Sequence, residues 1–402
     1  MQKALVLAGG GAKGSYQVGV WRALCELGWQ PDIITGTSVG CLNGVMFVLD
    51  QYEVARDMWL TIGDSDVMTL PEERGLSELH QFLQDVVKNG GLDVTPLEQI
   101  VERVLDEDAL RRARIRFGLV TVERRGLRAR ELTLDEIPQG MVKDYLMASA
   151  ACFPAIRARE IDGVKYLDGG YSDNMPFGLA KRMGAEQLLC VNVDGIGITR
   201  PNFSGLPTTV IESHWDLGDI LRFQPQVARR NMELGYYDTL REFGRVRGTA
   251  YALRADARCE PELAAFRAEY DALLQRCCKE NPALALAEKT ALALFKPRAG
   301  EKAAAPLELA AETAGVDPAA LYTVEQLCQA LCAAYEPEKL HRYARLLRCD
   351  GTAPAAAALA AVTPGDFVTA LVYTALAGSQ ALPAPEPPEP PEPVHAAGEA
   401  EG

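Results

Sequence analysis

The stretch "ALVLAGGGAKGSYQVG", Ala4 to Gly19, decides the fold. Ala4 to Ala8 is an unbroken apolar run, the pattern of a strand buried on both faces of a parallel sheet. Four glycines, Gly9, Gly10, Gly11 and Gly14, then surround one lysine, Lys13. Beyond them Val18, Trp21, Leu24, Cys25 and Leu27 recur at helical spacing. Ser15 is placed to cap that helix and Gly28 to end it. A second short strand follows, "DIIT", Asp32 to Thr35. It runs into "GTSVG", Gly36 to Gly40, and an apolar helix from Cys41 to Leu49. Two strand–turn–helix units in succession are the order of an α/β sheet. Both turns then fall at the carboxyl edge of the sheet, side by side.

The remaining chain continues this pattern. Ile115 to Val122 and Leu127 to Leu134 alternate around "ERRG" and predict a hairpin. Tyr166 and Leu167 end a strand at "DGG", and Leu188 to Val193 is a further buried strand. Glu233 to Phe243 reads as a helix and Thr249 to Leu253 as a last strand. After about Ala255, alanine and leucine rise and helical periodicity takes over, with proline breaks that predict about five helices. Phe367 to Leu376 reads as the last core helix. From Pro383 a proline–glutamate tail is expected to be disordered.

The chain has 402 residues and a formal net charge of −14, which argues against a nucleic-acid binder. Ten cysteines are scattered without C-x-x-C pairs, and Cys328 and Cys332 read as small core residues on a helix. No metal site is implied. The start lacks the apolar core of a signal peptide, and no apolar stretch is long enough to span a membrane. The expected location is the cytoplasm. Arg111 to Arg130 holds eight arginines and one acid, and reads as a solvated hairpin rather than a headgroup patch.

Three chemistries compete for the glycines: a nucleotide phosphate, a lipid phosphate and an ester oxyanion. Gly9, Gly11 and Gly14 satisfy G-x-G-x-x-G between a strand and a helix, the context of a dinucleotide site. Such a site wants an acidic residue at the end of the second strand, where Thr35 and Gly36 stand instead. A phosphate-binding Walker loop fails because Lys13 precedes Gly14. "GTSVG" is G-x-S-x-G. It puts Ser38 on a tight turn at a helix N-terminus, where a serine nucleophile is favoured. The N–H groups of Gly10 and Gly11 can then serve as an oxyanion hole. No histidine has a motif around it: His80, His214, His341 and His395 read as ordinary residues. "YLDGGYSDNMP" offers Asp168 at a strand end, so a carboxylate can act as base.

Taken together, Gly9-Gly10-Gly11-Ala12-Lys13-Gly14, Gly36-Thr37-Ser38-Val39-Gly40 and Asp168-Gly169-Gly170 resemble the motifs of the patatin-like phospholipases. "MASAACFPAI" (Met147 to Ile156), "DNMPF", "GAEQLLCVNV" and "LGYYDTLR" resemble flanking blocks of the same family, so that the likeness covers roughly residues 3 to 250. The resemblance implies a three-layer α/β/α fold with a mainly parallel central sheet, followed by an α-helical extension. It implies a catalytic domain over 1–255, an extension of unknown role over 256–380 and a tail over 381–402. By the same resemblance Ser38 is the nucleophile and Asp168 the base. Gly9, Gly10, Gly11, Lys13 and Gly14 form the oxyanion hole, and Gly36 and Gly40 frame the elbow. The activity implied is hydrolysis of fatty-acyl esters of lipids or phospholipids through an acyl-enzyme, with no cofactor. A thioesterase or acyltransferase on the same site, and a lipid-binding module without turnover, are the alternatives. A transient contact with a membrane surface is compatible with this reading, and the oligomeric state is left open. The Ala148 to Pro154 block departs from the family pattern, which leaves acyl-chain preference open.

Overall fold

The computed structural model describes residues 1–68, 91–334, 343, 347 and 354–378. The chain divides into two compact units, Met1–Phe243 and Gly244–Gly402. The calls on His80, His341, His395 and the 381–402 tail lie outside the described residues.

The first unit is built on an eight-stranded sheet. Its strands are β1 (Lys3–Leu7), β2 (Ile33–Thr37), β3 (Arg116–Glu123), β4 (Arg128–Thr133), β5 (Arg159–Ile161), β6 (Val164–Asp168), β7 (Gln187–Asn192) and β8 (Thr208–Glu212). The order is β5-β6-β3-β2-β1-β7-β8, with β4 paired to β3. β3, β2, β1, β7 and β8 run parallel, and β4, β5 and β6 add antiparallel pairs. The sheet is thus mainly parallel, with helices on both sides. The apolar run from Ala4 to Ala8 is fully buried, as a central parallel strand requires. Leu7 pairs with Gly36, so β1 and β2 end level with each other.

Helix α1 (Ser15–Glu26) follows β1 after a 3-10 turn at Gly11–Gly14. Ser15 is not its cap. The turn makes Gly14 the N-cap, and the Ser15 hydroxyl donates to Ala12 O at 3.3 Å. Helix α2 (Val39–Val48) follows β2, and α3 (Tyr52–Thr61) and the short α4 (Asp64–Val67) come next. Helices α5 (Thr95–Val104), α6 (Glu107–Arg112), α7 (Val142–Ser149), α8 (Phe177–Arg182) and α9 (Pro225–Glu242) complete the unit. In the arginine-rich stretch, Arg111 pairs with Glu107 and donates to the Leu134 and Ile137 carbonyls, Arg116 donates to Met183 O, and Arg130 pairs with Glu123.

The second unit holds a small sheet, β11-β10-β9, formed by β9 (Val246–Arg247), β10 (Ala252–Arg254) and β11 (Leu321–Tyr322). Six helices accompany it among the described residues: α10 (Cys259–Glu280), α11 (Ala283–Phe295), α12 (Ala305–Ala314), α13 (Val324–Ala333), α14 (Pro354–Val362) and α15 (Pro364–Gly378). Phe367, Leu371 and Val372 of α15 are fully buried, so this is a core helix. Glu308 of α12 is also fully buried. Its Oε1 accepts the backbone N–H groups of Thr249, Ala250 and Tyr251 at 2.7–3.0 Å. Cys328 is buried, but Cys332, one helical turn on, is exposed rather than in the core.

Candidate active site

Ser38 stands between β2 and α2 with φ 54° and ψ −128°. A non-glycine residue held there stores strain of order 1–3 kcal/mol. The turn is tight enough to demand its glycines. A Cβ on Gly36 would lie 2.5 Å from the Gly40 carbonyl carbon and oxygen, and one on Gly40 would lie 2.3 Å from Leu7 O. A second serine steadies the strained residue. The Ser38 N–H donates to Ser149 Oγ at 3.0 Å, and Ser149 Oγ donates to Val120 O at 2.6 Å.

Asp168 ends β6 and caps the 3-10 turn Gly169–Tyr171, its Oδ1 accepting the Gly170 N–H at 2.8 Å. The Ser38 side chain draws the pKa of the same carboxylate down, and both residues line one cleft. Asp168 is buried. Burial raises its pKa to about 6, against the opposing pull of the Gly170 N–H and the Ser38 hydroxyl. The result is a carboxylate more basic than a surface aspartate and still ionised at neutral pH.

The glycine loop faces the same point. Gly9 is clamped to Asn174 by two hydrogen bonds: Gly9 N–H to Asn174 O at 3.3 Å and Asn174 Nδ2 to Gly9 O at 3.1 Å. Gly11 has φ 54°, and a Cβ there would lie 2.0 Å from Ile220 O. Gly14 O accepts Asn43 Nδ2 at 2.9 Å, and its α-carbon packs against Val39. Lys13 is buried and donates Nζ to Asp194 O at 2.9 Å, pointing away from any headgroup role. The N–H groups of Gly10 and Gly11 have no acceptor among the described residues.

A buried polar chain fixes the two turns relative to each other. Gln17 Nε2 donates to Ala8 O at 2.7 Å, Asn43 Nδ2 donates to Gln17 Oε1 at 2.9 Å, and Trp59 Nε1 donates to Asn43 Oδ1 at 3.1 Å. It links β1, α1, α2 and α3 with its polar groups paired, so it adds rigidity without an unsatisfied cost.

Gly9, Gly10, Gly11, Ser38, Asp168 and Asn174 line one end of a cleft of about 1070 Å³, its open mouth included. Apart from Asn43, the rest of the wall is apolar, with Leu42, Met46, Trp59, Ile100 and Val104 among it. Asp168 is its one charged lining residue among those described. A phosphate placed here would face a buried carboxylate with no cation in the wall, which weighs against the dinucleotide alternative. His214 does not line the cleft. Among the described residues no group of three or more His, Cys, Asp or Glu is arranged to hold a metal, and no helix is long and apolar enough to cross a membrane.

The sequence reading assigned no part to Ser149, Asn174, Asn43 or Trp59. Ser149 and Asn174 do lie in two of the blocks singled out beside the motifs, "MASAACFPAI" and "DNMPF", and that was the available signal.

A serine on a strained strand-to-helix turn and a buried carboxylate thus line one cleft of a mainly parallel α/β unit. Residues 5–181 match the family model described as patatin-like phospholipase. Among curated proteins it is similar to patatin-like phospholipase domain-containing protein 7 of Rattus norvegicus, 27% identical over 47% of this chain and 13% of that protein. It is also similar to lysophospholipase nte1 of Aspergillus terreus, 26% identical over 61% of this chain and 16% of that protein. The matches therefore span less than a fifth of those relatives. Among solved structures, VipD from Legionella pneumophila aligns over 92% of this chain and 91% of that one, at 14% identity and a TM-score of 0.36.

Proposed function

We propose that the protein is a serine acyl hydrolase that cleaves fatty-acyl esters of lipids. Ser38 Oγ attacks the ester carbonyl carbon while its proton passes to Asp168. The carbonyl oxygen becomes an oxyanion and accepts the free N–H groups of Gly10 and Gly11. Collapse breaks the ester C–O bond, and Asp168 returns the proton to the departing alcohol. Water then attacks the acyl-enzyme, with Asp168 again taking a proton, and fatty acid leaves with Ser38 restored. Gly9 and Lys13 shape the loop rather than donate, because their N–H and ammonium groups are committed elsewhere, and Gly14 packs closely against Val39.

One observation carries this reading: Ser38, on its strained turn, lines one apolar cleft together with a buried carboxylate of raised pKa, Asp168. The family match and the lysophospholipase relative support it at low identity. Its test is release of free fatty acid from lysophosphatidylcholine and phosphatidylcholine in mixed micelles. Wild type is expected to release it, and Ser38→Ala and Asp168→Asn are not. Release by Ser38→Ala at the wild-type rate would sink the assignment.

A further inference from the structure

The connection between β7 and β8, residues 193–207, contains neither helix nor strand. Connections this long without secondary structure are uncommon in compact domains and are usually functional. Its first half is clamped in place. A Cβ on Gly195 would lie 2.0 Å from Gly9 O, so the connection touches the glycine loop. The Ile198 N–H donates to Gly170 O at 2.8 Å, and the Asn174 N–H donates to Ile198 O at 2.7 Å. Arg200 donates to Ser172 O at 2.9 Å and to Ser172 Oγ at 2.6 Å.

This rigid backbone holds apolar side chains out in solvent. Ile196 is 77% exposed, Ile198 is 56% exposed, and Tyr171 on the clamped turn is 40% exposed. Ile196 also lines the cleft, as do Ile220, Leu221 and Phe223. Ile196 thus belongs both to the exposed rim and to the apolar cleft wall. Contiguous exposed apolar surface marks an interaction site.

We infer that the Tyr171–Ile196–Ile198 rim is the surface by which the protein docks on a lipid bilayer, so that an acyl chain enters the cleft without crossing water. The inference rests on the acyl-hydrolase reading. Continuity with an apolar cleft that ends at Ser38 argues for lipid as the occupant. The net charge of −14 disfavours attraction to an anionic surface, so docking is by apolar insertion into a zwitterionic one. Binding of that kind is insensitive to salt.

The test is co-sedimentation of full-length Ser38→Ala protein with phosphatidylcholine vesicles, which reads binding without turnover. Ile198→Asp in that background is expected to lower partitioning at least about tenfold, the scale of one lost apolar side chain, and about 0.5 M salt is expected to leave it unchanged. Phe203→Asp is the control. Phe203 is more exposed still, at 86%, but the second half of the connection leads away from the rim. There Lys181 donates to Ser204 O, and Leu188, near the start of β7, donates to Pro207 O. Phe203→Asp is expected to bind like its parent. With Ser38 intact, Ile198→Asp is expected to hydrolyse a soluble short-chain ester at the wild-type rate. Unchanged vesicle binding by Ile198→Asp, or an equal loss in Phe203→Asp, overturns the inference. So does conversion of a dimer to a monomer by Ile198→Asp with vesicle binding retained, which assigns the rim to a second copy. If wild type hydrolyses no ester while Ile198-dependent binding persists, the hydrolase reading fails and the docking surface stands.

Discussion

The turns after β1 and β2 leave neighbouring parallel strands at one level of the sheet, and both are rich in glycine, yet they solve opposite problems. The turn after β1 carries no side chain at Gly10 and Gly11, whose N–H groups have no acceptor among the described residues. The turn after β2 uses its glycines, Gly36 and Gly40, to force one side chain, Ser38, into a strained and prominent position. A glycine cluster alone does not say which problem is being solved. What separates them is the residue the glycines frame: a positive-φ serine between Gly36 and Gly40, and only Ala12 and Lys13 between Gly11 and Gly14.

The sharpest break of this comparison is at the elbow. Ser38→Ala is expected to lower kcat for ester hydrolysis by about 10⁴-fold or more in steady-state assays. Ser38→Gly should be equally inactive but more stable than Ser38→Ala by about 1 kcal/mol in denaturant unfolding, because glycine releases the positive-φ strain. Equal stabilities would remove the strain argument.

Asp168→Asn comes next, with an expected loss of about 10²–10⁴-fold in kcat. The same change should stabilise the fold at neutral pH. Burial raises the folded pKa from 3.8 to about 6, so the native state holds the proton more tightly than the unfolded chain. The group's contribution is therefore most favourable at pH below 3.8 and declines as pH rises through about 6. Removing the charge recovers up to about 3 kcal/mol at neutral pH, since Asn can still accept the Gly170 N–H. Thermal unfolding of the two proteins at pH 5 and pH 8 measures it, and the gap should widen at pH 8.

In the glycine loop the expected effect is smaller. Gly10→Ala sets a Cβ 2.5 Å from Val193 Cγ2, and the shift this forces in the donors should cost about 10²-fold in kcat with little change in KM. The least effect is expected from Asp173→Asn. Asp173 follows the Gly169–Tyr171 turn and is buried, and its pKa is also pushed up to about 6, chiefly by desolvation. It accepts the Met175 N–H and does not line the cleft. Its replacement should leave the acid limb of kcat/KM unchanged, which separates a raised pKa from a catalytic one.

Much of this site is legible in the sequence because each motif is local. Strand, turn and helix lie within about ten residues of Gly11, and again of Ser38, so periodicity and turn chemistry suffice. The supports are not legible, because their partners are remote. Asn174 meets Gly9 across 165 positions, and Ser149 meets Ser38 across 111. The same holds in the second unit. Its helices follow from alanine and leucine periodicity, but no local pattern marks Glu308 as the buried acceptor for three N–H groups that it is. The Ser15 cap was misread for a different reason. A 3-10 turn before the helix moves the cap to Gly14, and helical periodicity carries no trace of that.

The most direct test of the Ser38–Asp168 pair is the rate of modification by a fluorophosphonate as a function of pH, with the adduct mapped by peptide mass. The account predicts an adduct on Ser38 whose rate rises through about pH 6 and levels, and a slow, flat profile in Asp168→Asn. An adduct on another serine, or the same rise in Asp168→Asn, would contradict it.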